Sequence, residues 1–305
     1  MSDRRFRPRR TVLATPGSSD RFIARSRDLE IDCVFLDLED GVAESVKVES
    51  RARITEALKT GGWRADTVCV RVNGWTTPWT SQDIWSVVTG AGGHLDAIIL
   101  PKVRIPGEVI AADLLIRQAE IAAGVPVGRI GLELQIEDPI GLTNVDAIAA
   151  ASPRTEALVY GPGDWMATSG MRELTVGSRV PGYPGDAFHH VLIRILMAAR
   201  ANGLQAIDGP FVAIRDLEGF EEAATKVAAL GYDGKWVVHP SQAEAGNRIF
   251  TPGIEVIARA RRVVDAYETA TSQAGGAIGA IVVDDEMVDE AGVKVARAVL
   301  ARAGG

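Results

Sequence analysis

Short, nearly continuous apolar runs alternate along this chain with longer stretches whose apolar residues recur every three or four positions. The runs are TVLATP from Thr11, CVFLDLE from Cys33, TVCVRVN from Thr67, AIILPKV from Ala97, IGLELQIE from Ile130, ALVYGPGD from Ala157, LQAIDGP from Leu204 and KWVVHPS from Lys235. Runs without polar alternation fit strands covered on both faces. The stretches between them, such as PGEVIAADLLIRQAEIAAG and HHVLIRILMAARANG, carry the period of helices with one apolar face. Repeated strand-then-helix order predicts a parallel sheet, and eight strands is the number that closes a (β/α)8 barrel, the TIM barrel. A doubly wound open sheet is the competing α/β topology, but no glycine fingerprint follows the first strand.

Polar residues gather at the C-terminal ends of these runs: Asp37, Glu39 and Asp40; Arg71 and Asn73; Lys102; Glu137; Asp164; Asp208; His239. One charged strand end is usually a loop residue meeting water; a succession of them is the pattern of a barrel's catalytic face. Residues 1–252 therefore read as a catalytic barrel. Residues 253–305 read as a helical linker and C-terminal lid: a helix in IEVIARARRVVDAYETATSQ, a hinge at Gly275 to Gly279, then a short strand and an amphipathic helix. Packing tails share this composition.

Glu137 and Asp164 end successive strands, so a closed barrel could bring both carboxylates to one cation, with water completing its shell. Magnesium suits such a site, because it takes oxygen ligands and few protein carboxylates, and four histidines without clustering offer no zinc site. Two separate local ion pairs would use the same residues. Arg71 would place a fixed cation beside the metal, able to stabilise an enolate or carboxylate oxygen, or would bridge to Asp37 or Glu39. The trio Asp37, Glu39 and Asp40 could order metal-bound waters or pin neighbouring strands. Lys102 could meet a ligand phosphate or carboxylate. The turn at Pro16, Gly17 and Ser18 could bring backbone amides to a phosphate. Trp75, Trp79 and Trp165 are candidate pocket walls or core residues, and His239 reads as a hydrogen-bonded structural histidine.

Charge and composition narrow the picture. A formal net charge of -7 argues against wrapping nucleic acid, though not against a small anion. No run approaches the ~20 apolar residues that span a bilayer, and the arginine-rich start runs directly into the first strand, so the expectation is a cytoplasmic protein without a transit peptide. Cys33 and Cys69 lie within strands and read as buried thiols. The arginines from Arg4 to Arg10 form the one basic cluster, either a solvated tail or a holder of ligand phosphates.

In order along the chain stand RRTVLATPGS from Arg9, LDLEDGVA from Leu36, VRVN from Val70, DAIILPKV from Asp96, QIEDPIGL from Gln135, GPGDW from Gly161, AIDGP from Ala206 and GYDGKWVVHPSQ from Gly231. With these motifs the chain resembles the CoA-ester lyases, the malyl-CoA lyase and citrate lyase beta-subunit family, over nearly its whole length. The resemblance implies a magnesium-dependent barrel, manganese being an alternative, in which Glu137 and Asp164 hold the metal. It also implies that Arg71 polarises the thioester oxygen, with Glu39 and Asp40 beside it. Arg10, Pro16, Gly17, Ser18, Lys102, Gly163 and Trp165 would contact substrate or CoA. The acid or base would be Asp289 in EMVDEA, commonly supplied by a neighbouring subunit, in a homotrimer or hexamer. The implied reaction joins or cleaves a 3-hydroxyacyl-CoA dicarboxylate, giving glyoxylate or pyruvate and an acyl-CoA. Citramalyl-CoA cleavage, hydrolysis of the CoA ester in the same site, an aldolase of free acids and a carrier-dependent subunit remain open. Two departures stand out. Asp284, Asp285 and Glu286 precede Met287 where glycine and lysine are more usual at the last two of those positions, and Asp138 stands where threonine is commoner.

Overall fold

The structure, a computed structural model, describes residues 6–273, 276 and 279–303. Arg4, Arg5 and most of the glycine-rich hinge lie outside the described residues. Eight parallel strands close into a barrel in sequence order: β1 (Thr11–Pro16), β2 (Cys33–Asp37), β3 (Thr67–Arg71), β4 (Ala97–Leu100), β5 (Gly131–Ile136), β6 (Thr155–Tyr160), β7 (Gln205–Asp208) and β8 (Gly234–Val237). Closure comes from β1 pairing with β8, Leu13 opposite Val237, as well as with β2. Around it run α1 (Asp20–Arg27), α2 (Lys47–Thr60), α3 (Thr80–Ala91), α4 (Pro106–Ala123), α5 (Pro139–Thr143), α6 (Val145–Ala150), α7 (Pro162–Thr168), α8 (His189–Ala201), α9 (Leu217–Leu230) and α10 (Pro240–Phe250). Each of the eight runs read from the sequence overlaps one barrel strand, although β6 begins two residues before Ala157 and β8 one residue before Lys235.

The strand-to-helix junctions are sharp because the chain uses proline where a helix begins. Pro106, Pro139 and Pro162 stand in the first turns of α4, α5 and α7, where a missing N–H costs nothing. Asp138 caps α5, its Oδ1 accepting the Gly141 amide at 2.7 Å, and its other oxygen pairs with Arg104. The residue that departs from the family pattern is thus a helix cap, and it fixes the turn immediately after Glu137.

Two cores lie on opposite faces of the sheet. Outward residues such as Val34, Leu36, Val68, Val70, Leu132 and Leu134 pack against the helices. Inward residues Val12, Cys33, Phe35, Cys69, Ala97, Ile99, Ala157, Val159, Ile207 and Trp236 fill the barrel as a separate apolar cluster. Phe35 and Trp236 meet there with ring centroids 4.5 Å apart. Both cysteines are buried and free. With Glu133 they form the only group of three adjacent metal-ligand side chains among the described residues, sealed inside the barrel and beside Arg9.

Below this waist, at the N-terminal ends of the strands, charged groups close the barrel. Arg9 is 1% exposed and donates to Glu133 at 2.7 Å, to Glu156 at 2.7 Å and to Gln205; Arg7 also pairs with Glu156. Gly234 permits this packing. A Cβ there would lie 1.7 Å from the carbonyl oxygen of Arg9, a contact only glycine avoids.

A second compact unit runs from Thr251 to Gly305, following the first from Met1 to Phe250. It contains α11 (Ile254–Gln273), the antiparallel pair β9 (Ala280–Val283) and β10 (Glu286–Asp289), and α12 (Glu290–Ala303). Where one strand is expected from the sequence, a hairpin forms. Asp284 and Asp285 both take left-handed φ, 50° and 63°, the signature of a two-residue turn that matches strand twist. Their carboxylates and that of Glu286 lack the usual glycine signal for such a turn; Asp284 and Glu286 instead pair with Arg262 and Arg259 of α11. Val288 faces the buried side with Val293 and Ala260, whereas Met287 and Val282, directly paired, are exposed. Asp289 lies on the face of Met287, and its Oδ1 caps α12 through the Gly292 amide at 3.0 Å. No helix among the described residues is long and apolar enough to cross a membrane.

Candidate active site

The C-terminal ends of β2, β3, β4, β5 and the first turn of α7 converge on a polar cluster above the apolar waist. Arg71, ending β3, lies over the rings of Phe35 and Trp236 at 5.5 and 5.4 Å. Its Nε and Nη2 each donate at 2.7 Å to Asp37, one to each carboxylate oxygen, and its Nη1 stands 3.1 Å from Glu39. Two of its five N–H groups are used in hydrogen bonds to Asp37, while Nη1 forms an ion pair with Glu39, leaving one N–H on Nη2 and both on Nη1 outside those hydrogen bonds. The bridge to Asp37 and Glu39 anticipated as an alternative role therefore coexists with a cation facing the cleft.

Asp37 is further held by the amides of Glu39 and Gly41, both at 2.9 Å. Burial by itself would raise its pKa, but the charge and hydrogen bonds of Arg71, with these two amides, bring it below the usual carboxylate value. Such a depressed carboxylate stabilises the fold above its unfolded pKa, and the contribution is lost as pH falls through the folded value. Urea unfolding from pH 7 down to pH 3 is expected to show a steeper acid loss in the wild type than in Asp37→Asn, which should already be weakened at pH 7.

Glu137 is 2% exposed. One oxygen accepts the Lys102 backbone amide at 2.6 Å and the other the Gln135 side-chain amide at 2.5 Å. Gly161 makes room for this carboxylate, because a Cβ there would come within 2.4 Å of its Oε2. Desolvation first, then the charges of Asp164 and Glu39, push the Glu137 pKa well above the ordinary glutamate value. Burial likewise raises Glu39. Lys102 joins these groups: its ammonium contacts Glu39, lies 3.2 Å from both oxygens of Asp40 and 3.8 Å from Asp164.

Five carboxylates, Asp37, Glu39, Asp40, Glu137 and Asp164, are thus gathered around two cations, Arg71 and Lys102. The donors that remain open are oxygens, Glu137 is destabilised in its charged form, and Asp164 is only part-buried across from it. That donor set fits a hard divalent cation with water in its shell.

Beside Arg71 opens a cavity of about 390 Å³ whose lining includes Pro16, Phe22, Arg25, Asp37 and His239. Its wall is mostly apolar, with Arg25 as a cationic side chain on α1. Phe22, Arg25 and Ser26 share one face of α1 by helical spacing, with Leu29 just beyond its end, a signal present in the sequence but detached from any strand-end motif.

Several expected contacts lie elsewhere. Arg10 precedes β1, at the opposite end of the barrel from Glu137, and makes a close ion pair with Asp32; its guanidinium stitches the barrel's N-terminal end and does not face the cleft. In the Pro16–Gly17–Ser18 turn, proline has no N–H and the Gly17 amide donates to Asp37 O at 2.9 Å, so the turn offers no row of amides, although Pro16 lines the cavity. Trp75 donates to Glu108 O and packs on the helical core, Trp79 lies under the Lys47 ammonium, and Asn73 is bound to Asp83. Asp208 pairs with buried Lys235 away from the carboxylate cluster. Gly163 and Trp165 lie in α7 on either side of Asp164; Trp165 packs partly against the core. His239 caps α10, its Nδ1 accepting the Ser241 amide at 3.2 Å. Gln135, which orients Glu137 from inside the barrel, was not singled out in the sequence because an inward glutamine looks like any other strand residue.

Residues 10–240 match the model of the HpcH/HpaI aldolase/citrate lyase family. The chain belongs to that family. Among curated relatives, an L-malyl-CoA/beta-methylmalyl-CoA lyase of Cereibacter sphaeroides is 35% identical over 97% of this chain and 95% of its own. A (3S)-malyl-CoA thioesterase of the same species is 36% identical over the same shares. The solved structure of CitE from Mycobacterium tuberculosis, in complex with magnesium, acetoacetate and coenzyme A, superposes with a TM-score of 0.71 at 28% identity, covering 97% of this chain and 98% of that one. In this HpcH/HpaI-family chain, Arg71, Glu137 and Asp164 stand on three elements of one barrel mouth, the place where barrel folds carry their chemistry.

Proposed function

We propose that this protein is a carbon–carbon lyase that cleaves or forms a 3-hydroxyacyl-CoA dicarboxylate of the malyl-CoA or beta-methylmalyl-CoA type, with magnesium bound by Glu137 and Asp164. The observation that carries this reading is the joining of an oxygen-donor pair to a buried arginine beside a largely apolar cavity. A bound magnesium ion would act as a Lewis acid toward the oxygens of the keto acid. Arg71 holds the thioester carbonyl oxygen with its free N–H groups and stabilises the negative charge that grows there as the carbon–carbon bond breaks. The electron pair of that bond goes to the acyl-CoA enolate, the hydroxyl proton passes to a carboxylate of the Glu39–Asp40 pair, and a separate carboxylic acid returns a proton to the enolate carbon. Asp289 is the proposed acid, reached from a neighbouring copy in a trimer or hexamer. Its support here is its place on the exposed face of the hairpin beside Met287 and Val282, away from the core of its own unit. The apolar wall receives the pantetheine arm, and Arg25 receives its phosphates.

The thioesterase relative makes hydrolysis in the same site the competing reading. Mass spectrometry of products formed from glyoxylate, magnesium and acetyl-CoA or propionyl-CoA separates the two. A hydroxyacyl-CoA product that disappears in both Glu137→Ala and Asp164→Ala is the expected result; free malate as the main product would identify the hydrolase, and no product from either donor would remove these substrates.

A further inference from the structure

Lys102 is the one residue other than glycine with a left-handed backbone among the described residues of the barrel, at φ 55°. A lysine gains nothing locally from that conformation, so the surrounding structure must hold it there. The hold is visible. The Lys102 amide donates to Glu137, the next amide, of Val103, donates to Gln135 O at 3.3 Å, and Arg104 pairs with Asp138 while its carbonyl accepts from Asn144 at 2.9 Å. The loop after β4 is thus sewn residue by residue to the turn after β5. This backbone turns the amide of Lys102 toward Glu137 while its side chain reaches Glu39, Asp40 and Asp164.

The ammonium therefore lies 3.8 Å from Asp164, one of the two carboxylates assigned to the divalent cation, and is held beside it by Glu39 and Asp40, while Glu137 meets only the Lys102 backbone amide. Two cations around one acid cluster oppose each other, whereas an added anion relieves that opposition. We propose that Lys102 is a positioning residue and built-in counter-cation. Its amide fixes Glu137, and its ammonium competes with the divalent cation until a keto-acid carboxylate enters, so that cation and keto acid bind cooperatively. The inference rests on the metal site assigned above to Glu137 and Asp164. Once the cation is bound, the displaced ammonium is free to meet the ligand's carboxylate, and by linkage each ligand raises the other's affinity by the same factor.

Manganese binding followed by electron paramagnetic resonance, with and without glyoxylate, tests this without relying on turnover. In the wild type glyoxylate is expected to tighten manganese binding about tenfold. Lys102→Met is expected to bind manganese about tenfold more tightly than wild type in the absence of glyoxylate, and to lose most of the coupling. Lys102→Arg should keep the coupling, and Lys102→Gly, which suits the positive φ, should lose it while melting no lower than Lys102→Met. A Lys102→Met protein that is folded by near-ultraviolet circular dichroism but binds manganese no more tightly, or keeps full coupling, would overturn the proposal. Manganese binding that survives Glu137→Ala would instead overturn the assignment of the metal site itself.

Discussion

Replacing Arg71 by alanine is expected to lower turnover about 1000-fold, the loss typical of removing one preorganised donor to a developing oxyanion. The same change should destabilise the barrel, because Asp37 and Glu39 would be left as buried carboxylates without their main partner, a deficit of about 3–5 kcal/mol. The two effects separate in Arg71→Lys. A lysine restores a charge but cannot reproduce the two parallel bonds to Asp37 or the planar contact with Phe35 and Trp236. Its stability is expected to recover in part while turnover remains at least 100-fold down, as measured by urea unfolding alongside steady-state kinetics. If Arg71→Lys recovered turnover in proportion to stability, Arg71 would be a scaffold residue and the oxyanion role would be lost.

The other large effect belongs to the opposite end of the barrel. Arg9→Met should cost about 3–5 kcal/mol by stranding Glu133 and Glu156, both buried, and leaving Gln205 without its donor. Arg7 softens the loss at Glu156 but does not pair with Glu133. Adding Glu133→Leu to Arg9→Met removes the most isolated charge and should return a large part of the stability, since an apolar replacement of a buried ion pair is often tolerated. Turnover per folded molecule should change little in either variant, because the apolar waist lies between this network and Arg71. A loss of activity without a shift in the unfolding midpoint would contradict the separation of the two ends.

The contrast between Arg10 and Arg71 shows where reading the chain succeeds and where it stops. Arg71 is legible because the last residue of an apolar run, with an asparagine close behind, must lie at a strand's C-terminal end, and the same holds for Glu137 and Asp37. Arg10 belongs to a basic cluster whose local composition suits a solvated tail or an anion holder equally well, and Asp32, which claims it, stands 22 residues away. The network around Arg9 is less legible still. Its partners are 124, 147 and 196 residues distant and meet only because β5, β6 and β7 curve round to face the chain entering β1. The position of Lys102 is equally hidden, since no residue pattern reports a left-handed lysine.

By itself the sequence determined the eight strands, the helices between them, the end of the barrel that carries the chemistry and the residue types gathered there. Those follow from periodicity and from the fixed direction of each strand, which are local properties. Only the tertiary structure decided how the expected barrel closes, with Leu13 of β1 opposite Val237 of β8, that Arg71 is clamped by Asp37 over two aromatic rings, and that the Lys102 ammonium is held by Glu39 within 3.8 Å of Asp164. These are pairings between distant segments. Their energies depend on burial and on which charges closure brings within a few ångströms of one another, and neither quantity exists until the barrel has formed.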